Sequence, residues 1–152
     1  MKEGTFLVTN ADDDSAVLRD VRDGQVHTLD ANPGVDAGAV VEATLEPVPP
    51  MEVTWRVADL ERSFSVSVER SDEPPTELAR ELAADQAVGE LTRRERAGTG
   101  EVHVLTVPDG DTDDAVADVL GDEGTVERAA RLGVERVEVR AEPGVVSVRY
   151  LP

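Results

Sequence analysis

A change of hydrophobic period near residue 71 limits the folds open to this chain more than any other feature. In residues 52–57 the apolar side chains Val53, Trp55 and Val57 alternate with Glu52, Thr54 and Arg56; in residues 63–70 Phe64, Val66 and Val68 alternate with serines and Glu69. A period of two marks half-buried antiparallel strands. Residues 4–9, 15–21 and 25–29 read the same way, the last two joined by Arg22-Asp23-Gly24, whose Asp-Gly pair favours a hairpin. A further strand spans 39–46, entered through Asn32-Pro33-Gly34-Val35-Asp36-Ala37-Gly38, where glycine supplies positive φ. Short strands in such number must hide their edges, and a small antiparallel β-barrel does so.

Beyond the proline-bearing residues 71–75 the pattern turns helical. Leu78, Leu82, Ala87 and Leu91 recur at helical spacing, which predicts one helix from Thr76 to near Ala97, with Arg93, Arg94 and Arg96 complementing the dipole in its last turns and Gly98 stopping it. Residues 101–107 read as a buried strand, 111–120 and 125–132 as short helices, and 134–140 with 145–151 as a hairpin across Glu142-Pro143-Gly144. The expected fold class is α+β: a small β-barrel over residues 1–70, a linker at 71–75, and an α-β-α-α-β-β module over 76–152 whose three-stranded sheet carries helices on one face.

The charge balance constrains the setting. Asp and Glu number 33 against 15 Lys and Arg, Lys2 is the single lysine, and the formal net charge is −18. Like charges at that density oppose compaction where the screening length is about 8 Å; in roughly molar salt it shrinks to about 3 Å and the penalty fades. The apolar set is valine-rich and lacks isoleucine, which suits concentrated salt because salt strengthens apolar burial. A salt-rich cytoplasm is therefore expected, with hydrated salt cations at the surface. The absence of cysteine excludes disulfides, thiolate zinc ligation and thiol catalysis. No leader-like start and no membrane-length apolar run occurs, so a soluble chain without a membrane partner is expected.

Few motifs suggest chemistry. Asp109-Gly110-Asp111-Thr112-Asp113-Asp114 begins like a calcium loop, but Asp114 and Leu120 stand where an EF-hand needs glycine and glutamate. It reads instead as a helix start capped by Asp111 or Thr112. Asp12-Asp13-Asp14 reads as a solvated loop tip. His27 and His103 each stand alone in a strand, no serine lies in a G-x-S-x-G elbow, and Gly98-Thr99-Gly100 precedes a strand and lacks the third glycine of a dinucleotide loop. The pairs Glu77/Glu81 and Asp85/Glu90 fall on the exposed helix face. No catalytic residue, cofactor or metal ligand is expected. The densest positive patch is Arg93, Arg94 and Arg96, and arginine binds phosphate and carboxylate in a bidentate manner.

From Met-Lys-Glu-Gly-Thr-Phe-Leu-Val-Thr at the start, through Pro50-Met51-Glu52-Val53-Thr54-Trp55-Arg56-Val57, to Ala130-Arg131-Leu132-Gly133-Val134 and Val148-Arg149-Tyr150-Leu151-Pro152, the chain resembles a family of small acidic proteins of unknown function from halophilic archaea. Its first seventy residues, with Pro33-Gly34 leading to Gly38-Ala39-Val40-Val41-Glu42-Ala43, resemble a TRAM or OB-like barrel. That second resemblance implies RNA binding through a basic groove with exposed aromatics. The preferred reading is a non-catalytic protein that binds a protein partner or assembles with itself. The first alternative is an RNA or single-stranded nucleic-acid module using Arg19, Arg22 and Arg56, with Arg93, Arg94 and Arg96. The second is a small enzyme, which requires His27 or His103 to meet a carboxylate in a pocket.

Overall fold

Most of the alternating apolar residues fall in strands, but the strands sort into two separate sheets. A computed structural model describes residues 1–152 and divides them into two compact units, Met1–Val66 and Ser67–Pro152. The structure is mixed α+β, as expected from the change of period.

The N-terminal unit has no helix. Strands β1 (Lys2–Ala11), β2 (Ala16–Asp20), β3 (Val26–Thr28), β4 (Val40–Pro47) and β5 (Trp55–Phe64) form one antiparallel sheet in the order β3-β2-β1-β4-β5. One face carries Phe6, Val8, Leu18, Val41 and Leu45, each at most 1% exposed, and Leu29 and Val35 close over them. The sheet does not close into the expected barrel. A single parallel bridge joins Leu29 to Trp55, and Asp30 N donates to Trp55 O at 2.9 Å. The physical reason lies in strand length: β3 has three residues, too few to extend a ladder along β5. Val53 was expected on the buried face but is 72% exposed, because residues 48–54 form the β4–β5 loop instead of a strand. Pro49 and Pro50 there lack the N–H groups a ladder needs.

The only lysine pins the β2–β3 turn. Asp20, nearly buried, accepts from Arg22 N at 2.7 Å and Asp23 N at 3.2 Å, while Lys2 Nζ lies 3.3 Å from Asp20 and 2.9 Å from Asp23.

The C-terminal unit comprises β6 (Ser67–Arg70), α1 (Glu77–Ala84), β7 (Leu91–Glu95), β8 (Glu101–Thr106), α2 (Thr112–Gly121), α3 (Glu123–Leu132), β9 (Arg136–Glu142) and β10 (Val145–Leu151). Its sheet has five strands in the order β6-β9-β10-β8-β7, with β6 parallel to β9 and the other pairs antiparallel. The expected three strands are its centre, and two edges were missed. The run at 63–70 breaks after Phe64, so that β5 and β6 belong to different sheets.

The long helix predicted from Thr76 to Ala97 is also corrected. Thr76 caps it, its hydroxyl accepting from Ala79 N at 3.2 Å, but the helix ends at Ala84. Gly89, at φ +89°, turns the chain and donates to Thr106 O at 2.7 Å, and residues 91–95 then pair with β8. Without that partner one edge of an apolar strand would be left unpaired, a penalty that outweighs the helical propensity of Leu-Thr-Arg-Arg-Glu-Arg. Gln86 secures the turn by donating to Val104 O at 2.9 Å and Glu90 O at 3.0 Å.

Helices cover both faces of this sheet, not one. Ala79, Leu82 and Ala83 of α1 pack on Val102, Val104 and Val145. Glu101 and Tyr150 point to the opposite face, as strand alternation requires, and Arg128 of α3 reaches Glu101 there. Arg70, in register with Val139 on that second face, pairs with Asp113 of α2 at 3.0 Å. The predicted caps of α2 are absent: Asp111 makes no side-chain cap, and the Thr112 hydroxyl donates to Asp109 O and accepts from Gly144 N. Asp122 instead caps α3 through Gly124 N at 2.8 Å.

Candidate functional site

Because residues 91–95 form a strand, consecutive arginines there face opposite ways. Arg93 lies across from His103, whereas Arg94 lies across from Val102, and Val102 lies across from Arg149. Arg94, Val102 and Arg149 thus form one row over β7, β8 and β10, on the face that carries α1. Leu78, Ala79 and Leu82 of α1 lean over this row and leave a groove of about 460 Å³ between helix and strands, floored by Val102 and Val104 and rimmed by Arg94, Glu95, Arg96 and Arg149. Leu78 is 58% exposed.

The electrostatics of the rim are unusual for so acidic a chain. No ion pair or hydrogen bond engages Arg94, although carboxylates outnumber basic groups by more than two to one. Arg96 donates from Nη1 to Thr99 O at 2.9 Å, across the β7–β8 turn. Arg149 Nε is buried without a hydrogen bond, 3.4 Å from Glu138 Oε1. Loss of hydration, then repulsion from Arg140, pulls the Arg149 guanidinium below the usual arginine range. Glu138 is surrounded by Arg136, Arg140 and Arg149; burial pushes its carboxyl up, but the bond from Arg140 and the neighbouring positive charges outweigh this and hold it low.

The turn between β7 and β8 contains Gly98-Thr99-Gly100, and Gly100 there has a structural duty. Its φ is +110°, and a Cβ would stand 2.1 Å from Tyr150 O. Only glycine permits that approach.

Of the other arginines singled out by sequence, Arg19 lies in β2, Arg22 in the turn beside Asp20, and Arg56 in β5, all in the N-terminal unit. Arg22 shares a shallow cavity with Glu3, Asp20, Glu42 and Glu61, and Arg56 Nε bonds Glu46 at 2.6 Å. Trp55 turns edge-on to His27, 4.9 Å away, and packs against the core, while Phe64 lies beneath the Arg62 guanidinium at 4.2 Å.

His103 does meet a carboxylate, one of the two conditions that the enzyme alternative sets. Its Nε2 lies 2.8 Å from Glu101 Oε2, and Arg128 Nη2 donates to both Glu101 oxygens at 2.7 and 2.8 Å. Burial pushes the Glu101 carboxyl up, but the bonds from Arg128 and His103 prevail and hold it low, so Glu101 is ionised and His103 Nε2 carries the proton. Burial lowers the His103 pKa, and the ring, 7% exposed, rests against Tyr150 at 4.9 Å. With both Glu101 oxygens taken and the ring enclosed, the trio ties β8 to α3. The Glu-x-His spacing on one strand face was a visible signal, whereas Arg128, 27 residues onward, was not. His27 sits in the N-terminal core between Phe6 and Trp55, its Nδ1 buried without a partner.

No group of three or more His, Asp or Glu side chains is arranged to hold a metal ion, and no helix is long and apolar enough to cross a membrane. Asp113 of the calcium-like run is engaged with Arg70 instead. No curated protein and no solved structure gives a significant match to this chain. Residues 2–141, nearly its whole length, match one family, and the chain therefore belongs to DUF5812, a family of unknown function.

Proposed function

We propose that this protein is a non-catalytic binding module adapted to concentrated salt, with the groove of its C-terminal unit as the binding face. One observation carries this reading: Arg94 stands unneutralised beside an apolar floor in a chain whose carboxylates far exceed its cations. An ordinary surface arginine in such surroundings would find a carboxylate at little cost. One left free beside exposed Leu78 is suited to a partner with an anionic and an apolar part. The net charge of −18 supports a salt-rich, haloarchaeal cytoplasm as the setting. The curl of the N-terminal sheet, ending in the Leu29–Trp55 bridge, supports kinship of that unit with OB or TRAM-like barrels. Its engaged Arg56 and core-packed Trp55 favour a scaffolding role over an RNA-binding one.

Capture of the tagged protein from its native cytoplasm in molar KCl, with and without nuclease, tests this reading. A nuclease-resistant ligand that the Leu78→Asp variant fails to retain is expected; nuclease-sensitive recovery of RNA by both proteins would replace the groove with a nucleic-acid surface. Transfer from molar to 0.1 M KCl is expected to lower the melting temperature markedly, because the screening length roughly triples. An unchanged melt would remove the salt adaptation.

A further inference from the structure

Resting on the groove as binding face, the geometry points to its ligand class, which we infer to be a small organic monocarboxylate with an apolar body. The head is assigned by the row Arg94–Val102–Arg149. Adjacent strands stand about 4.8 Å apart, so the two arginines flank Val102 from backbones roughly 10 Å apart. Side chains as long as arginine can span that separation, so an oxyanion above Val102 lies within reach of both. Arg149 Nε lacks a hydrogen bond, with Glu138 of the neighbouring strand 3.4 Å from it.

The charge of the ligand follows from what surrounds the rim. On the rim Arg94 and Arg96 stand against Glu95, and Arg149 shares Glu138 with Arg136 and Arg140. The rim is left positive, which calls for an anionic head, and one carboxylate against the unpaired Arg94 is the smallest group that meets it. The body is assigned by Leu78, Leu82, Val102 and Val104, which offer no polar side-chain atom. A volume of about 460 Å³ falls in the small-molecule range and suits a body of roughly ten carbons.

The test is an amide and arginine-Nε NMR titration of the full chain in 2 M KCl with 4-phenylbutyrate. Parallel arms use 4-phenylbutanol, acetate, phenyl phosphate, and a hydrophobic peptide with a free or an amidated C-terminus. Saturable shifts centred on Val102, Val104, Leu78 and Arg149 Nε are expected with phenylbutyrate. The alcohol and acetate should each bind about tenfold more weakly, since each lacks one half of the recognition. Arg94→Gln, an exposed and unpaired position that folding does not need, should weaken phenylbutyrate about tenfold and leave the alcohol unchanged. Equal binding of phenylbutanol and phenylbutyrate would overturn the anion assignment while leaving the groove as a binding face. Tighter binding of phenyl phosphate would overturn the monoanion, and tighter binding of the free-carboxylate peptide would make the occupant a protein terminus. If no arm shifts the groove residues, the ligand class falls, and the Leu78→Asp capture decides the groove separately.

Discussion

The two units contain five-stranded sheets drawn from the same valine-rich, acidic composition, yet they bury their apolar faces by opposite means. The N-terminal sheet curls and covers itself: Phe6, Leu18, Leu29 and Leu45 meet across one concave face without any helix. The C-terminal sheet is layered, and its coverage depends on helices that are short for the task. At eight residues, α1 is about 12 Å long, less than the width of five strands at about 4.8 Å spacing. What α1 fails to cover becomes the groove on one side and the Glu138 cluster on the other. A curled sheet completes its own core, whereas a layered one leaves an edge of the covering element where a site can open. Arg94 is an exception within its own unit, where Arg70, Arg128 and Arg140 are engaged with carboxylates as Lys2 and Arg56 are in the curled one.

Substitutions can break this comparison. The largest effect is expected at Gly100, where alanine combines an unfavourable φ with a Cβ 2.1 Å from Tyr150 O; a loss of about 4 kcal/mol or more is expected in denaturant titration at fixed molar KCl. A loss below about 1 kcal/mol would show that the β7–β8 turn is not packed on β10 as described. Next comes Leu18→Ala, which empties a fully buried position of the curled core and should cost roughly 3 kcal/mol. Leu82→Ala, at the half-buried margin of α1, should cost about half as much. Equal losses would mean that the layered unit is as completely covered as the curled one.

Acidification acts on both units in the same direction. His27 and His103 are each held below the ordinary value of 6.5, chiefly by burial. Between the lowered native value and 6.5 the unfolded chain binds the proton and the native one does not, so stability falls as pH drops below about 6.5. Thermal melts from pH 7.5 to 5 should show this decline. His103→Gln should flatten it in part; an undiminished slope in that variant would assign the decline elsewhere. Below about pH 4.5 Glu101 and Glu138, whose carboxyls are depressed in the fold, add a second loss as they protonate. The smallest effect is expected at Arg94→Gln, within about 0.5 kcal/mol, because nothing in the fold depends on that side chain. A larger loss would give Arg94 a structural role and weaken its assignment to the groove.

Much of the fold was legible along the chain, and the misreadings share a cause. The hairpin at Glu142-Pro143-Gly144 and the helix starting after Thr76 follow from local signals, turn chemistry and an N-cap. The stretch 85–95 carries helical spacing and helix-forming residues, yet β8 claims residues 91–95 as an edge partner. Ser65 and Val66 look like the middle of one strand but mark the change of sheet. In both places a distant strand's need for a hydrogen-bonding partner overrides local preference. The misplaced helix also concealed the groove: on a helix end, Arg93, Arg94 and Arg96 read as dipole partners, while on a strand Arg94 aligns with Val102 and Arg149, and Arg96 follows it on the rim.

The sequence by itself determined the change from strand to helix-bearing architecture, the acidic surface and the absence of thiol chemistry, because periodicity, charge and composition are properties of neighbouring residues or of simple counts. Tertiary structure alone decided which strands share a sheet, which face Arg94 takes, and that Glu101, His103 and Arg128 meet. Those outcomes depend on pairing between residues far apart along the chain, where satisfying backbone hydrogen bonds and covering apolar faces outweigh the modest preferences written into any short segment.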